Sequence, residues 1–170
     1  MPSDYKTPRK RLRLSTCNYR TTGYYFITIC TCNRECLLGN IVEGKMHLNA
    51  AGKMIQHVLE AIQNIYLGWH LDTNIIMPNH VHAILRLYKH AINQPTPLSL
   101  SELIRNIKTL TTKNYCAGVS TQNWQTFDKH LWQRSYHEHI IRGEQNLNNI
   151  REYIHNNPKQ WHEDSYNPQM

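Results

Sequence analysis

His80 and His82, in the run Met77-Pro78-Asn79-His80-Val81-His82, are the residues of this chain best placed to do chemistry. On a strand, residues two apart project from the same face, so both imidazoles point together while Val81 turns to the other side. Neutral imidazole is a good ligand for borderline divalent ions, so the pair can share a metal. The same spacing also suits two histidines on a solvated sheet face, and with 11 histidines in the chain an H-x-H arises readily by chance.

Two ligands do not complete a site. The run Arg151-Glu152-Tyr153-Ile154-His155-Asn156-Asn157-Pro158 places Tyr153 and Asn157 four residues apart. On a helix that spacing puts a phenol and an amide on one face, toward one cleft. A phenol with its ordinary pKa of about 10 is a weak nucleophile, and a nearby cation favours the phenolate. Tyr153 falls in the last turn, where the helix dipole works against the phenolate, so a metal or basic side chains must offset it. The alternative is structural, with Tyr153 packed on the sheet and Asn157 as the C-cap.

The elements that must position these groups are legible as patterns. Gly23–Cys32 is aromatic and β-branched and reads as a buried strand. Leu38-Gly39-Asn40 suggests a turn, followed by a short strand or hairpin arm over Ile41–Leu48, around Glu43-Gly44. Asn49 can cap a helix reaching Gly68, with Ile55, Leu59, Ile62 and Ile65 at helical spacing. Trp69–Met77 and His80–Leu87 read as strands joined at Met77-Pro78-Asn79, an antiparallel hairpin. Ser99, with Glu102 in the capping-box position, opens a second helix predicted to run to Cys116. Trp124–Ile141 is strand-like, and a third helix runs from Glu144 to about Asn156, since Pro158 disfavours helical geometry just before it. The polar tail 159–170 reads as irregular.

The resulting order, β-(β)-α-β-β-α-β-α, predicts an α+β fold. Its expected form is a ferredoxin-like, RRM-like sandwich, an antiparallel sheet with helices packed on it. The domain plan is a basic arm over 1–22, a catalytic domain over 23–158 and a tail over 159–170. At 170 residues, one domain of ordinary size is expected.

Lys plus Arg total 19 against 12 Asp plus Glu, a net charge of +7, which suits a polyanionic partner. Lys6, Arg9, Lys10, Arg11 and Arg13 crowd the arm. Arg105 and Lys108, on the solvent side of the second helix, can extend that patch. No apolar run approaches the roughly 20 residues that cross a bilayer, and the charged N-terminus lacks a signal peptide's apolar stretch. A cytoplasmic protein with no membrane partner is expected. Five cysteines are an odd set, and C-x-C-x3-C at Cys30, Cys32 and Cys36 lacks the paired hooks of common zinc sites; buried thiols are the better reading.

Four motifs in order resemble a known family: Tyr24–Glu35 (YYFITICTCNRE), Met77–His82 (MPNHVH), Leu131–Arg142 (LWQRSYHEHIIR) and Ile150–Pro158 (IREYIHNNP). MPNHVH resembles the HUH motif, histidine–bulky hydrophobe–histidine, of enzymes that nick single-stranded DNA. Together the four resemble Y1 transposases related to the insertion-sequence 200 enzymes, most closely their REP-associated tyrosine transposase branch, across residues 10–162. The resemblance implies that His80, His82 and Asn157 hold Mg2+ or Mn2+ and that Tyr153 is the nucleophile. It implies a 5′-phosphotyrosine intermediate, strand transfer without ATP, and single-stranded and hairpin DNA as substrate. Arg9, Lys10, Arg11, Arg13, Arg105 and Lys108 become candidate DNA contacts, and Trp132 and Tyr136 candidate stacking surfaces. Tyr136, among histidines in RSYHEH, is the alternative nucleophile. The branch implies a monomer, the insertion-sequence enzymes a homodimer. The competing functions are a non-catalytic ferredoxin-like nucleic-acid-binding module and a hydrolase activating water at the same histidines.

Overall fold

The computed structural model describes residues 22–88 and 95–168. Strands β1 (Gly23–Cys30), β4 (Trp69–Ile76), β5 (His80–Leu87) and β6 (His137–Ile141) form one antiparallel sheet in the order β4-β5-β1-β6. Strands β2 (Gly39–Val42) and β3 (Lys45–Leu48) form a separate hairpin. Four helices accompany them: α1 (Ala50–Glu60), α2 (Ile62–Ile65), α3 (Leu100–Gln122) and α4 (Glu144–Asn156). With β2–β3 set aside, β1-α1-β4-β5-α3-β6 is the split βαβ, ferredoxin-like arrangement.

The register assigns the two faces. Cys30 pairs with His80, Thr28 with His82, Phe26 with Ile84 and Tyr24 with Arg86. On the other side of β1, Thr28 pairs with His137 and Phe26 with His139. Residues that pair across strands share a face, so both histidines lie with Tyr24, Phe26 and Thr28 on one side of the sheet. The opposite side carries Tyr25, Ile27, Ile29, Val81, Ala83 and Leu85, all buried against Ile55 and Leu59 of α1 and Leu103, Ile104 and Ile107 of α3. A smaller core, Ile84, Ile141, Leu147 and Ile154, seats α4 on the histidine side. Both faces are therefore covered.

Local chemistry sets the element ends. Asn49 accepts from the Gly52 amide at the start of α1, and Ser99 and Glu102 close a reciprocal capping box on α3. Five boundaries differ from expectation, the first being that the helix expected to reach Gly68 is interrupted at Ala61 into α1 and α2. The hairpin begins at Gly39 rather than Ile41, taking in two residues of the turn expected over Leu38–Asn40, while its own turn lies at Glu43 and Gly44 (φ 50° and 69°), as the sequence suggests. Helix α3 continues past Cys116 to Gln122, and Gly118 lies within it against Trp124: a Cβ there would lie 2.3 Å from ring carbons of Trp124. The helix ends only at Asn123, left-handed at φ 53°.

Strand β6 starts at His137, well after Trp124. The carbonyls of Gln133 and Ser135 accept from Lys108 Nζ, each at 2.8 Å, instead of from a neighbouring strand. The tail is ordered: after α4 the chain tightens, at Pro158, into a 3-10 helix over Asn157–Glu163.

Candidate metal and tyrosine site

The strand pair β1–β5 delivers both imidazoles side by side, with ring centroids 4.5 Å apart. They are not on a solvated face; His80 is 0% and His82 2% exposed, beneath α4 and the tail. Burial makes the charged form costly. Desolvation, with the neighbouring imidazole and Arg34 adding to it, pushes the His80 pKa down to about 2. Desolvation brings His82 to about 3. Both rings are neutral at working pH, the state a metal ligand requires.

Their partners orient them. Asn79 Nδ2 donates to the carbonyls of Arg34 (2.9 Å) and Tyr166 (2.7 Å), so its Oδ1 accepts from His80 Nδ1 at 2.9 Å. The His80 lone pair is thereby on Nε2, which is buried and without a hydrogen-bond partner. Thr28 Oγ1 lies 2.8 Å from His82 Nδ1. In the tautomer where Nδ1 donates, Nε2 keeps its lone pair and accepts from Tyr153 Oη, 3.3 Å away. Partners at Nδ1 of each ring thus leave both Nε2 lone pairs free to face a metal.

Helix α4 and the tail close the site. Tyr153 is 41% exposed, with its ring 5.4 Å from His82 and edge-on to Phe26. Asn157, at the C-terminus of α4, is buried, and its Oδ1 has no partner. Asp164, in the tail, places Oδ2 3.8 Å from His80 Nε2 and 3.4 Å from Asn157 Nδ2. Because His80 is neutral, its contact with Asp164 is a lone pair facing a carboxylate rather than an ion pair. Burial raises the Tyr153 pKa, and the Asp164 charge raises it further, against a smaller lowering by Asn157. The phenol is thus protonated in this state.

This donor set fits a divalent cation. Ligand atoms of His80, His82 and Asp164 all lie within 4.8 Å of one another. His80 Nε2 and Asn157 Oδ1 are buried there without a donor, beside the Asp164 carboxylate, an arrangement that a cation stabilises and that otherwise costs desolvation. Asp164 escaped the sequence reading because it is aligned with no periodicity or motif; it arrives through the tail's folding. Arg34 Nη1 donates to Ser165 O at 2.6 Å and stacks on Tyr166, whose ring lies 4.7 Å from His80. Those contacts, with the Asn79–Tyr166 bond, hold Asp164 in place.

His80, His82, Tyr153 and Asn157 are therefore brought together. Tyr136 is not: it packs with the α1–α3 core on the opposite side of the sheet, and its hydroxyl lies 3.2 Å from Ser101 Oγ of α3. Trp132 is buried and donates to Thr111 Oγ1, which leaves no free ring face for stacking on bases. His137 and His139 are exposed on the site's own face. Arg105 and Lys108 line a separate cavity with residues 129–134. Lys6, Arg9, Lys10, Arg11 and Arg13 lie outside the described residues. Among the described residues no cysteine joins a cluster of three metal-ligating groups, and Cys30 is a buried thiol whose pKa burial lifts to about 11. Among them, too, no helix is long and apolar enough to cross a membrane.

Both histidines thus lie on β5, a central strand of a split βαβ sheet, and face Tyr153 on α4. The sequence pattern of the family described as "Transposase IS200 like" matches residues 20–157, and the chain belongs to that family. An uncharacterized protein of Haemophilus influenzae is 39% identical over 166 residues, covering 92% of this chain and 91% of its own length. The fold is similar to the structure of a REP-associated tyrosine transposase bound to a REP hairpin, with a TM-score of 0.59 and 22% identity, over 86% of this chain and 73% of that one.

Proposed function

We propose that this transposase cuts and rejoins single-stranded DNA through Tyr153, with a divalent ion held by His80, His82 and Asn157 and by Asp164 as a further ligand. The observation that carries the reading is the convergence of buried, unprotonated acceptors around the Tyr153 hydroxyl. Held by these residues, such an ion would polarise the scissile phosphate and stabilise its developing charge. Two imidazole nitrogens favour Mn2+ over Mg2+, which prefers all-oxygen shells.

The chain's own groups do the rest. Thr28 and Asn79 keep the imidazole lone pairs aimed inward. Tyr153 Oη attacks phosphorus, its proton passing to solvent at the exposed edge of the ring. The P–O3′ bond breaks, the 3′-oxygen takes up a proton, and the 5′-phosphate stays on the tyrosine. The phosphodiester energy is conserved in that link, so a second 3′-OH can reverse the step without ATP. Burial and the Asp164 charge both oppose the phenolate; a cation held beside Asp164 would offset the second of these. The substrate we infer is DNA that folds into hairpins at repeated palindromes. The four motifs resembling the REP-associated branch support this, as does the fold shared with a hairpin-bound relative.

The test is a denaturing gel of the protein with labelled hairpin DNA bearing a single-stranded extension, in Mn2+. A slow-migrating adduct, present with Tyr136→Phe and absent with Tyr153→Phe, is expected. Binding without an adduct across varied hairpins would favour the non-catalytic module. Cleavage that survives Tyr153→Phe would favour the water-activating hydrolase.

A further inference from the structure

Among the described residues, a concentration of positive charge lies between α3 and the segment before β6. A cavity of about 1070 Å3 there is lined by Arg105, Lys108, Lys113, Lys129, His130 and Arg134, with threonines between them and no carboxylate. Arg105, Lys108, Thr109, Thr112 and Lys113 recur at three- and four-residue spacing, one stripe along two turns of α3. Arg105, Lys113, Lys129, His130 and Arg134 are all exposed, and none of them forms an ion pair among the described residues. Four full charges of one sign, held together without a partner, repel one another. A fold keeps such a groove for a polyanion.

One wall of the groove is hydrogen-bonded to the strand that neighbours His80. This wall is fastened to the end of β1: Gln133 N donates to Cys30 O and Cys32 N to Leu131 O, each at 2.9 Å, and Trp132 bridges to Thr31. Lys108 crosses from α3 to the carbonyls of Gln133 and Ser135 and so sets the width between the walls. Cys30, the residue that anchors Gln133, pairs on its other side with His80. The groove wall and His80 are therefore two strand spacings apart, about 10 Å.

We propose that this groove binds the sugar-phosphate backbone of the DNA strand that continues from the cleaved phosphate, with Arg105 and Lys113 contacting it from α3 and Lys129 and Arg134 from the opposite wall. This rests on the function proposed above and adds the path of the substrate. The Thr112 hydroxyl between the cations suits a phosphate oxygen, and the buried Trp132 leaves no stacking platform, so contact is to backbone rather than bases. Binding here is sequence-independent, and its strength falls steeply with salt.

The test is a salt titration of binding, by fluorescence anisotropy, of a labelled DNA hairpin of arbitrary sequence with a single-stranded extension. Two doubly substituted proteins that lose equal charge are compared with the unaltered chain. Lys113→Ala/Arg134→Ala removes one cation from each wall; Lys45→Ala/Lys53→Ala removes two exposed lysines from β3 and α1. The groove pair is expected to weaken binding at least several-fold and to reduce the slope of log affinity against log salt by about 2, one per lost phosphate contact. The control pair is expected to keep the slope. Equal effects in both, or none in the groove pair, would overturn the proposal. Adduct formation by the unaltered protein is scored separately, so failure of the tyrosine chemistry and failure of the groove are read in different assays.

Discussion

Acid should weaken this fold through its own histidine pair. His80 and His82 have folded pKa values of about 2 and about 3, against an ordinary 6.5 for the unfolded chain. The unfolded state therefore binds protons more readily below pH 6.5. The stability contributed by the two neutral rings is complete above that value and is lost as pH falls from 6.5 toward the folded values. By pH 5, about 1.5 units below the unfolded pKa, each ring costs about 2 kcal/mol, so the pair costs about 4 kcal/mol. Against a typical total of about 5–15 kcal/mol that is a large fraction. The assay is urea unfolding from pH 7.5 to 5 for the unaltered chain and for His80→Gln/His82→Gln. The variant starts less stable, but its stability should fall with acid far less steeply. Equal slopes in the two proteins would refute the assignment of the rings as buried and neutral.

Other outcomes follow from the same geometry. Asp164→Ala and Asn79→Ala should each weaken Mn2+ binding by about 10–100-fold in calorimetry, the first by removing a proposed ligand and the second by releasing His80 Nδ1. Arg151→Ala removes the double contact to Asp72 that ties α4 to β4; because the pair is partly exposed it should cost under about 1 kcal/mol in unfolding, while adduct formation slows as Tyr153 loses its position. Gly118→Ala forces a methyl against Trp124 and should lower stability by about 1–3 kcal/mol in thermal melts, without changing Mn2+ affinity.

The parts of this molecule written in local pattern were legible without coordinates. The His80–Leu87 strand, the Ser99 cap with its Glu102 partner, and α4 with its Leu147, Ile150 and Ile154 stripe all follow from spacing and capping chemistry. So does the shared direction of His80 and His82, because strand periodicity fixes it. What escaped depends on contacts distant in sequence. The helix expected to end at Cys116 runs on to Gln122, with Gly118 packed on Trp124. The strand-like stretch after Trp124 is diverted by Lys108 drawing its carbonyls away from a sheet. The depth of the histidines depends on α4 and the tail folding back over them. Asp164 belongs to no motif at all; its position depends on Arg34 and Asn79 capturing the backbone of Ser165 and Tyr166.

The central claim is that Tyr153 carries the DNA. The direct measurement is mass spectrometry of tryptic peptides after reaction with a labelled hairpin in Mn2+ and nuclease trimming. A nucleotide 5′-phosphate mass on the peptide containing Tyr153 is the predicted result. The same mass on the peptide containing Tyr136, or cleaved DNA with a free 5′-phosphate and no modified peptide, would contradict it.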